Sequence, residues 1–245
     1  MITETHMMNM DMRIMQERLK QDVVYVEMFE AAGFGEPSNG GARNALQAFM
    51  KTIVSRNAPV DTGEMSAAAQ RGQGIFDGKG ECSTCHAGER FTDDQPYNTG
   101  VPNNPDIWND PERHSVFVSY AKFMGVENYM NIREDLGAYV RTHREETKRT
   151  FLTPSLRELT YTAPYMHNGM IETLEEVVDF YDAGGGGDVN KSAILKPLGL
   201  KPSEKGDLVA FLEALSGDSF ETEAYVWPDD TFDYQLIEDW RNVNN

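Results

Sequence analysis

Five consecutive residues, Cys82-Ser83-Thr84-Cys85-His86, hold the only two cysteines of this chain. Two thiols three positions apart lie on one side of a helical turn, so both can reach the vinyl edge of a single porphyrin. The histidine follows the second thiol directly, and its imidazole can bind iron from one face of the ring. For these reasons Cys-x-x-Cys-His reads as the attachment signature of c-type haem. Other chemistries compete for the same residues. A four-cysteine zinc site would need a second pair that the sequence lacks, although histidines or carboxylates can complete such a site. A dithiol redox pair would need a strand–helix–strand setting, and none is suggested here.

An iron held by His86 has a second face, and the residues able to fill it cluster in Thr162-Ala163-Pro164-Tyr165-Met166-His167-Asn168-Gly169. A proline, a glycine and the lack of helical period make this a loop held in one shape. Met166 offers a soft, neutral thioether that favours ferrous iron and raises its potential; Tyr165 would do the opposite, and His167 would fall between them. Met166 could equally be an ordinary core residue, the usual fate of a methionine.

The elements that must position these groups read as mainly helical. Apolar residues Met15, Leu19, Val23, Val26 and Phe29 predict one helix over residues 11–32, ended by Gly33 and Gly35. Leu46, Phe49, Met50 and Ile53 predict a second over 42–54, broken by Asn57-Ala58-Pro59. Ser66 can cap a third, through residue 76, that leads into the cysteines. Residues 87–112 are rich in Gly, Pro, Asn and Asp and read as an irregular loop serving a site. Residues 115–145 read as mostly helical. Thr173-Leu174-Glu175-Glu176 is a capping box opening a helix to residue 182. Ser203 is expected to cap a last helix with Leu208, Phe211, Leu212 and Leu215 on one face, stopped by Gly217. His6, His114 and His143 read as surface residues.

The chain has 245 residues, room for one large or two small domains, and a formal net charge of −18. That charge excludes a nucleic-acid partner, because a polyanion is repelled, and suits a basic protein partner or simply a solvated acidic surface. No apolar run is long enough to span a membrane. The first eight residues, Met1 to Met8, lack the basic and apolar regions of a secretory signal. Since c-type haem is normally attached outside the cytoplasm, the expectation is a fragment or a chain that has lost its leader.

The run Thr153-Pro154-Ser155-Leu156-Arg157-Glu158-Leu159-Thr160-Tyr161-Thr162-Ala163-Pro164-Tyr165-Met166-His167-Asn168-Gly169 resembles the bacterial di-haem cytochrome c peroxidase family, which includes the MauG-like enzymes. Further resemblance lies in Thr173-Leu174-Glu175-Glu176-Val177-Val178-Asp179-Phe180-Tyr181, in Pro197-Leu198-Gly199-Leu200 and in Leu208-Val209-Ala210-Phe211-Leu212. Thr52-Ile53-Val54-Ser55-Arg56-Asn57-Ala58-Pro59-Val60-Asp61 is similar to the segment between the family's two haem domains.

The resemblance implies a class I cytochrome c-like domain at residues 63–218, a helical remnant of a preceding peroxidatic haem domain at 1–62, and an acidic tail at 219–245 that packs on the body. It implies one covalent haem c here, against two in the full family pattern, with thioethers at Cys82 and Cys85, His86 proximal and Met166 distal. MauG-like members place a tyrosine at the distal position, so methionine points to the peroxidase branch. Arg157 is expected to pair with a haem propionate, since a guanidinium suits a carboxylate. No catalytic residue is expected in this stretch: the family's acid–base glutamate falls where Met7 stands, and calcium would sit between the two domains of the intact enzyme. The implied function is the electron-accepting part of a periplasmic peroxidase. It would take electrons from a small cytochrome c or cupredoxin and reduce hydrogen peroxide, as a homodimer. The alternatives are a MauG-like enzyme oxidising a protein substrate, or a mono-haem electron carrier.

Overall fold

The structure, a computed structural model, describes residues 10–219. The expectations for Met7, for His6 and for the tail after Ser219 lie outside the described residues. Those described fall into two compact units, 10–54 and 55–219. The division comes between Val54 and Ser55, ahead of the boundary expected after Thr62. The reason is that Val60 N donates to Ala214 O at 3.2 Å and Asp61 pairs with Arg157, which ties the intervening turn to the second unit.

The first unit carries α1 (Met12–Gln21), α2 (Val23–Ala31) and α3 (Asn39–Met50). The one long helix expected over 11–32 is two. Asp22 adopts an extended backbone and its carboxylate accepts from Val24 N at 2.9 Å, capping α2 and ending α1. A short acidic side chain that bonds its own backbone competes with helix continuation even where the apolar spacing runs on. α3 starts three residues earlier than its apolar stripe suggested, because Ser38 Oγ accepts from Gly41 N at 3.1 Å.

The second unit is organised by α5 (Ala67–Asp77) and α10 (Pro202–Glu213) crossing at close range. Gly72 makes the crossing possible: a Cβ there would lie 1.9 Å from Asp207 O and 2.8 Å from Phe211 Cβ. Arg71 clasps Asp207 with two hydrogen bonds of 2.8 and 2.6 Å beside it. Phe76 and Phe211, both almost fully buried, meet edge to face at 5.1 Å. Leu208, Leu212 and Leu215 join them, with Leu174 and Val178 of α9 (Leu174–Asp182), in one core. α9 opens on the expected capping box, with Thr173 Oγ1 accepting from Glu176 N and Glu176 accepting from Thr173 N. α10 differs from expectation at its start. Lys201 is the N-cap and Pro202 the first helical residue, so Ser203 lies inside the helix; proline at that position costs no backbone bond.

The long connection between the motif and α9 is only partly helical. Ahead of the motif, α4 (Pro59–Thr62) is a single turn; the connection holds the short α6 (Pro105–Asn109) and α8 (Tyr139–Thr142) and the longer α7 (Pro111–Phe123). Residues 115–145 therefore contain less helix than expected. Ala121, Val126, Leu136 and Val140 form a second, smaller core there. Two-residue strands β1 (Pro96–Tyr97) and β2 (Phe151–Leu152) pair antiparallel, and they are the only strands among the described residues.

Candidate haem site

α5 delivers the chain to the motif. Gly78 N and Gly80 N bond back to Gly74 O and Ile75 O, and the backbone then turns through Glu81 in the left-handed region. Cys82–Thr84 is a single 3₁₀ turn, and His86 N donates to Cys82 O at 2.9 Å. Both thiols and the imidazole thus project from one tight turn, as the spacing requires.

The cysteines are reduced and the imidazole is neutral, as a thioether bond and an iron ligand require. Neither cysteine is in a disulfide. Burial pushes the Cys82 thiol up to about 11, and burial also raises Cys85, so both are neutral thiols. Burial lowers His86, which keeps its imidazole neutral. His86 Nδ1 lies 2.9 Å from Phe91 O. A carbonyl can only accept, so Nδ1 carries the proton and Nε2 presents its lone pair for a metal. Among the described residues no three His, Cys, Asp or Glu side chains gather to hold an ion, which leaves the zinc reading without its remaining ligands. The donor set fits a covalently held haem.

Two tyrosines stand against the cysteines. Tyr97 in β1 donates from its hydroxyl to Asp93 at 2.8 Å and interacts with Cys85; these contacts raise its pKa and lower that of Asp93, where hydrogen bonding outweighs burial. Tyr181, in the last turn of α9, is pushed up to about 12, chiefly by burial, with Cys82 and Cys85 in its surroundings. The sequence reading quoted Tyr181 within a family stretch and gave it no role at the iron. The signal that would have found it is the helical period, which puts Tyr181 seven and three positions beyond the buried Leu174 and Val178.

The loop carrying Met166 is fixed, and its three candidate ligands differ in their freedom. Tyr165 Oη donates to Leu159 O at 2.9 Å, and Tyr165 N to Ile171 O at 2.6 Å. His167 bonds Asp135 through Nε2 at 2.9 Å and stacks on Phe151 at 3.6 Å. Met166 stands between them in the left-handed region, with φ +71, half-buried. Its thioether takes part in none of these bonds; His167 keeps Nδ1, on a ring held by Asp135 and by the stack on Phe151. Asn168 Oδ1 in this loop and Trp108 Nε1 in α6 are buried without a partner, polar edges of the kind an extended ligand satisfies.

Arg157 is held by groups of the protein itself. It donates from Nε and an Nη to Glu89 O at 3.0 and 2.8 Å, and from both Nη atoms to Asp61 at 2.7 and 2.9 Å. These protein partners hold the guanidinium along two edges. His114 and His143 are tied through Nε2 to Ile132 O and Met124 O.

No protein-family model matches the chain. Curated relatives do. It is 47% identical over 237 residues to the cytochrome-c peroxidase IdrP2 of Denitromonas iodatirespirans, covering 94% of this chain and 63% of that protein. The chain belongs to the di-haem cytochrome c peroxidase and MauG-like family. The methylamine utilization protein MauG of Methylorubrum extorquens is 34% identical, covering 89% of this chain and 56% of that protein. Among solved structures, a MauG-like protein associated with microbial copper homeostasis superposes with a TM-score of 0.65 at 27% identity, over 85% of this chain and 63% of that one. The chain thus spans less than two thirds of the length of these family members. The family implies haem c as the cofactor. Its mainly helical, cytochrome c-like fold is the one found here. Among the described residues no helix is long and apolar enough to cross a membrane.

Proposed function

We propose that this chain holds one covalent haem c through Cys82, Cys85 and His86 and is the electron-accepting part of a periplasmic di-haem peroxidase. The observation that carries the reading is His86 Nδ1 bonded to Phe91 O beside two unpaired, neutral thiols. Bound there, the haem would supply a one-electron couple. The chain's own residues do the rest. The 3₁₀ turn aims both thiols at one ring edge, Phe91 O fixes the imidazole tautomer, and the core around Phe76, Phe91 and Phe211 excludes water. The intact enzyme would reduce hydrogen peroxide at a second haem, with electrons from a small cytochrome c or cupredoxin, as a homodimer with calcium between its domains. No calcium ligand is assigned in this chain.

The distal position has two claimants. Met166 offers an uncommitted thioether on a rigid loop, which suits a high-potential electron acceptor. Tyr181 is the second, half-buried in the last turn of α9 with its hydroxyl desolvated near both cysteines. A tyrosine there fits the MauG-like branch, whose reaction would be oxidation of a protein substrate. The test starts from a pyridine haemochrome assay after maturation with a c-type assembly system, where one covalent haem per chain is expected. No covalent haem would sink the whole reading. Met166→His should then lower the reduction potential and abolish any near-infrared sulfur-to-iron band, if Met166 is the ligand. An unchanged spectrum and potential would remove it from the iron.

A further inference from the structure

Residues 153–157 lie along the loop that follows His86 and grip it at three points. Thr92 Oγ1 donates to Thr153 O at 2.7 Å, and Ser155 Oγ donates to Arg90 O at 2.7 Å. Arg157 reaches Glu89 O with the two bonds already described, and its guanidinium lies over the Phe91 ring at 5.1 Å. Asp61 holds the far edge of the guanidinium in a two-point pair, so the fork cannot rotate away. Arg157 is the better shielded partner, its side chain 15% exposed against 47% for Asp61.

The gripped loop needs such support. Phe91 has φ +54, a left-handed conformation that a bulky residue adopts only where its surroundings hold it. Its ring is anchored in the core against Phe76 at 6.0 Å and Phe211 at 6.2 Å. Its carbonyl is the acceptor for His86 Nδ1. The direction of that carbonyl depends on the backbone from Glu89 to Phe91, which Arg157 and Ser155 hold from one side and the core from the other.

We infer that Arg157, braced by Asp61, is a positioning residue for His86: it holds the Glu89–Phe91 backbone so that the Phe91 carbonyl stays on Nδ1. The inference rests on the haem reading above. The hydrogen bond at Nδ1 strengthens the imidazole as a donor to iron and fixes its ring plane. Arg157 therefore acts on the iron through the protein, without touching the haem.

The test uses haem-loaded protein, with covalent haem in the parent chain established first. Its absence would fail the haem reading itself, visibly and before any variant is made. Arg157→Lys keeps the positive charge and loses the two-point grip. Ser155→Ala removes one clamp with no change of charge. In the reduced protein, NMR follows exchange of the His86 Nδ1 proton, and a redox titration follows the potential. Arg157→Lys should speed exchange roughly tenfold, the scale of one lost hydrogen bond, and shift the potential upward. Ser155→Ala should act in the same direction with a smaller effect. Unchanged exchange in both variants overturns the inference. So does a potential shift in Arg157→Lys that changes its pH dependence while exchange stays as in the parent, the signature of a propionate partner. Should Arg157→Lys fail to fold, Ser155→Ala decides: exchange and potential identical to the parent overturn the inference.

Discussion

At the scale of single residues, the site is a set of commitments. Where each hydrogen bond goes decides which atoms remain for iron. His86 spends Nδ1 on Phe91 O and keeps Nε2; His167 spends Nε2 on Asp135 and keeps Nδ1; Tyr165 spends its hydroxyl on Leu159 O. Tyr181 is half-buried near the two cysteines, and its raised pKa says that desolvation of the hydroxyl favours the neutral phenol in the absence of a cation. Coordination to ferric iron would have to overcome that preference by releasing the phenolic proton. If Tyr181 occupies the distal position, Tyr181→Phe should raise the reduction potential, since a hard anionic donor that stabilises ferric iron is lost. It should also convert a six-coordinate ferric spectrum to one with an open position, which optical and electron paramagnetic resonance spectra would register. A spectrum insensitive to this change, together with one sensitive to Met166→His, would give the position to Met166.

At the scale of elements, the α5–α10 crossing carries the second unit, and it turns on a missing side chain. Gly72→Ala would drive a Cβ into a backbone carbonyl that cannot swing aside. The helices would have to separate, at a cost of about 1–3 kcal/mol or more. The melting temperature should fall by roughly 5 °C or more. Gly74, two positions along the same helix and with nothing within 4 Å of its own Cβ position, is the control. Gly74→Ala should stabilise by about 0.5–1 kcal/mol through helix propensity alone. Equal effects at the two positions would contradict the close crossing. These elements also show what was legible beforehand. Ser66, Thr173 and Glu176 announced their helices because a cap is written in a few adjacent residues. The single turn that gathers Cys82, Cys85 and His86 was legible for the same reason. Asp22 was passed over because a carboxylate inside an apolar period can either face solvent or cap a new helix, and only tertiary contacts choose. Arg157 was read for its charge, while its partners, Asp61 and Glu89 O, lie 96 and 68 positions away in sequence. Gly72 gave no sign, because its need for a bare backbone comes from Asp207 on another helix.

At the scale of the whole molecule, the dominant property is charge. A net charge of −18 creates a long-range attraction for basic proteins that exposed ions screen over about 10 Å at 0.1 M salt. Stopped-flow reduction of the haem-loaded chain by a small basic cytochrome should therefore slow by roughly tenfold between low and physiological ionic strength. A neutral or acidic donor should show little or inverse dependence. A rate independent of salt with the basic donor would detach the charge from electron transfer and leave it as surface solvation.

The pairing of Arg71 with Asp207 closes a loop of 136 positions. Every residue assigned to the haem, from Cys82 to Tyr181, lies inside it. A ribosome emits the motif and its flanking helix long before α10 exists, so the crossing cannot form until synthesis of the second unit is almost complete. Bringing such distant segments together is entropically slow, and contacts of this range place a protein among the slower folders. The thiols of Cys82 and Cys85 consequently spend that interval on an open chain, reachable from every side, before α5 and α10 shut the core around them. The close approach at Gly72 thus also marks an order of events: it is a late contact, and the cysteines stay on an open chain until it forms.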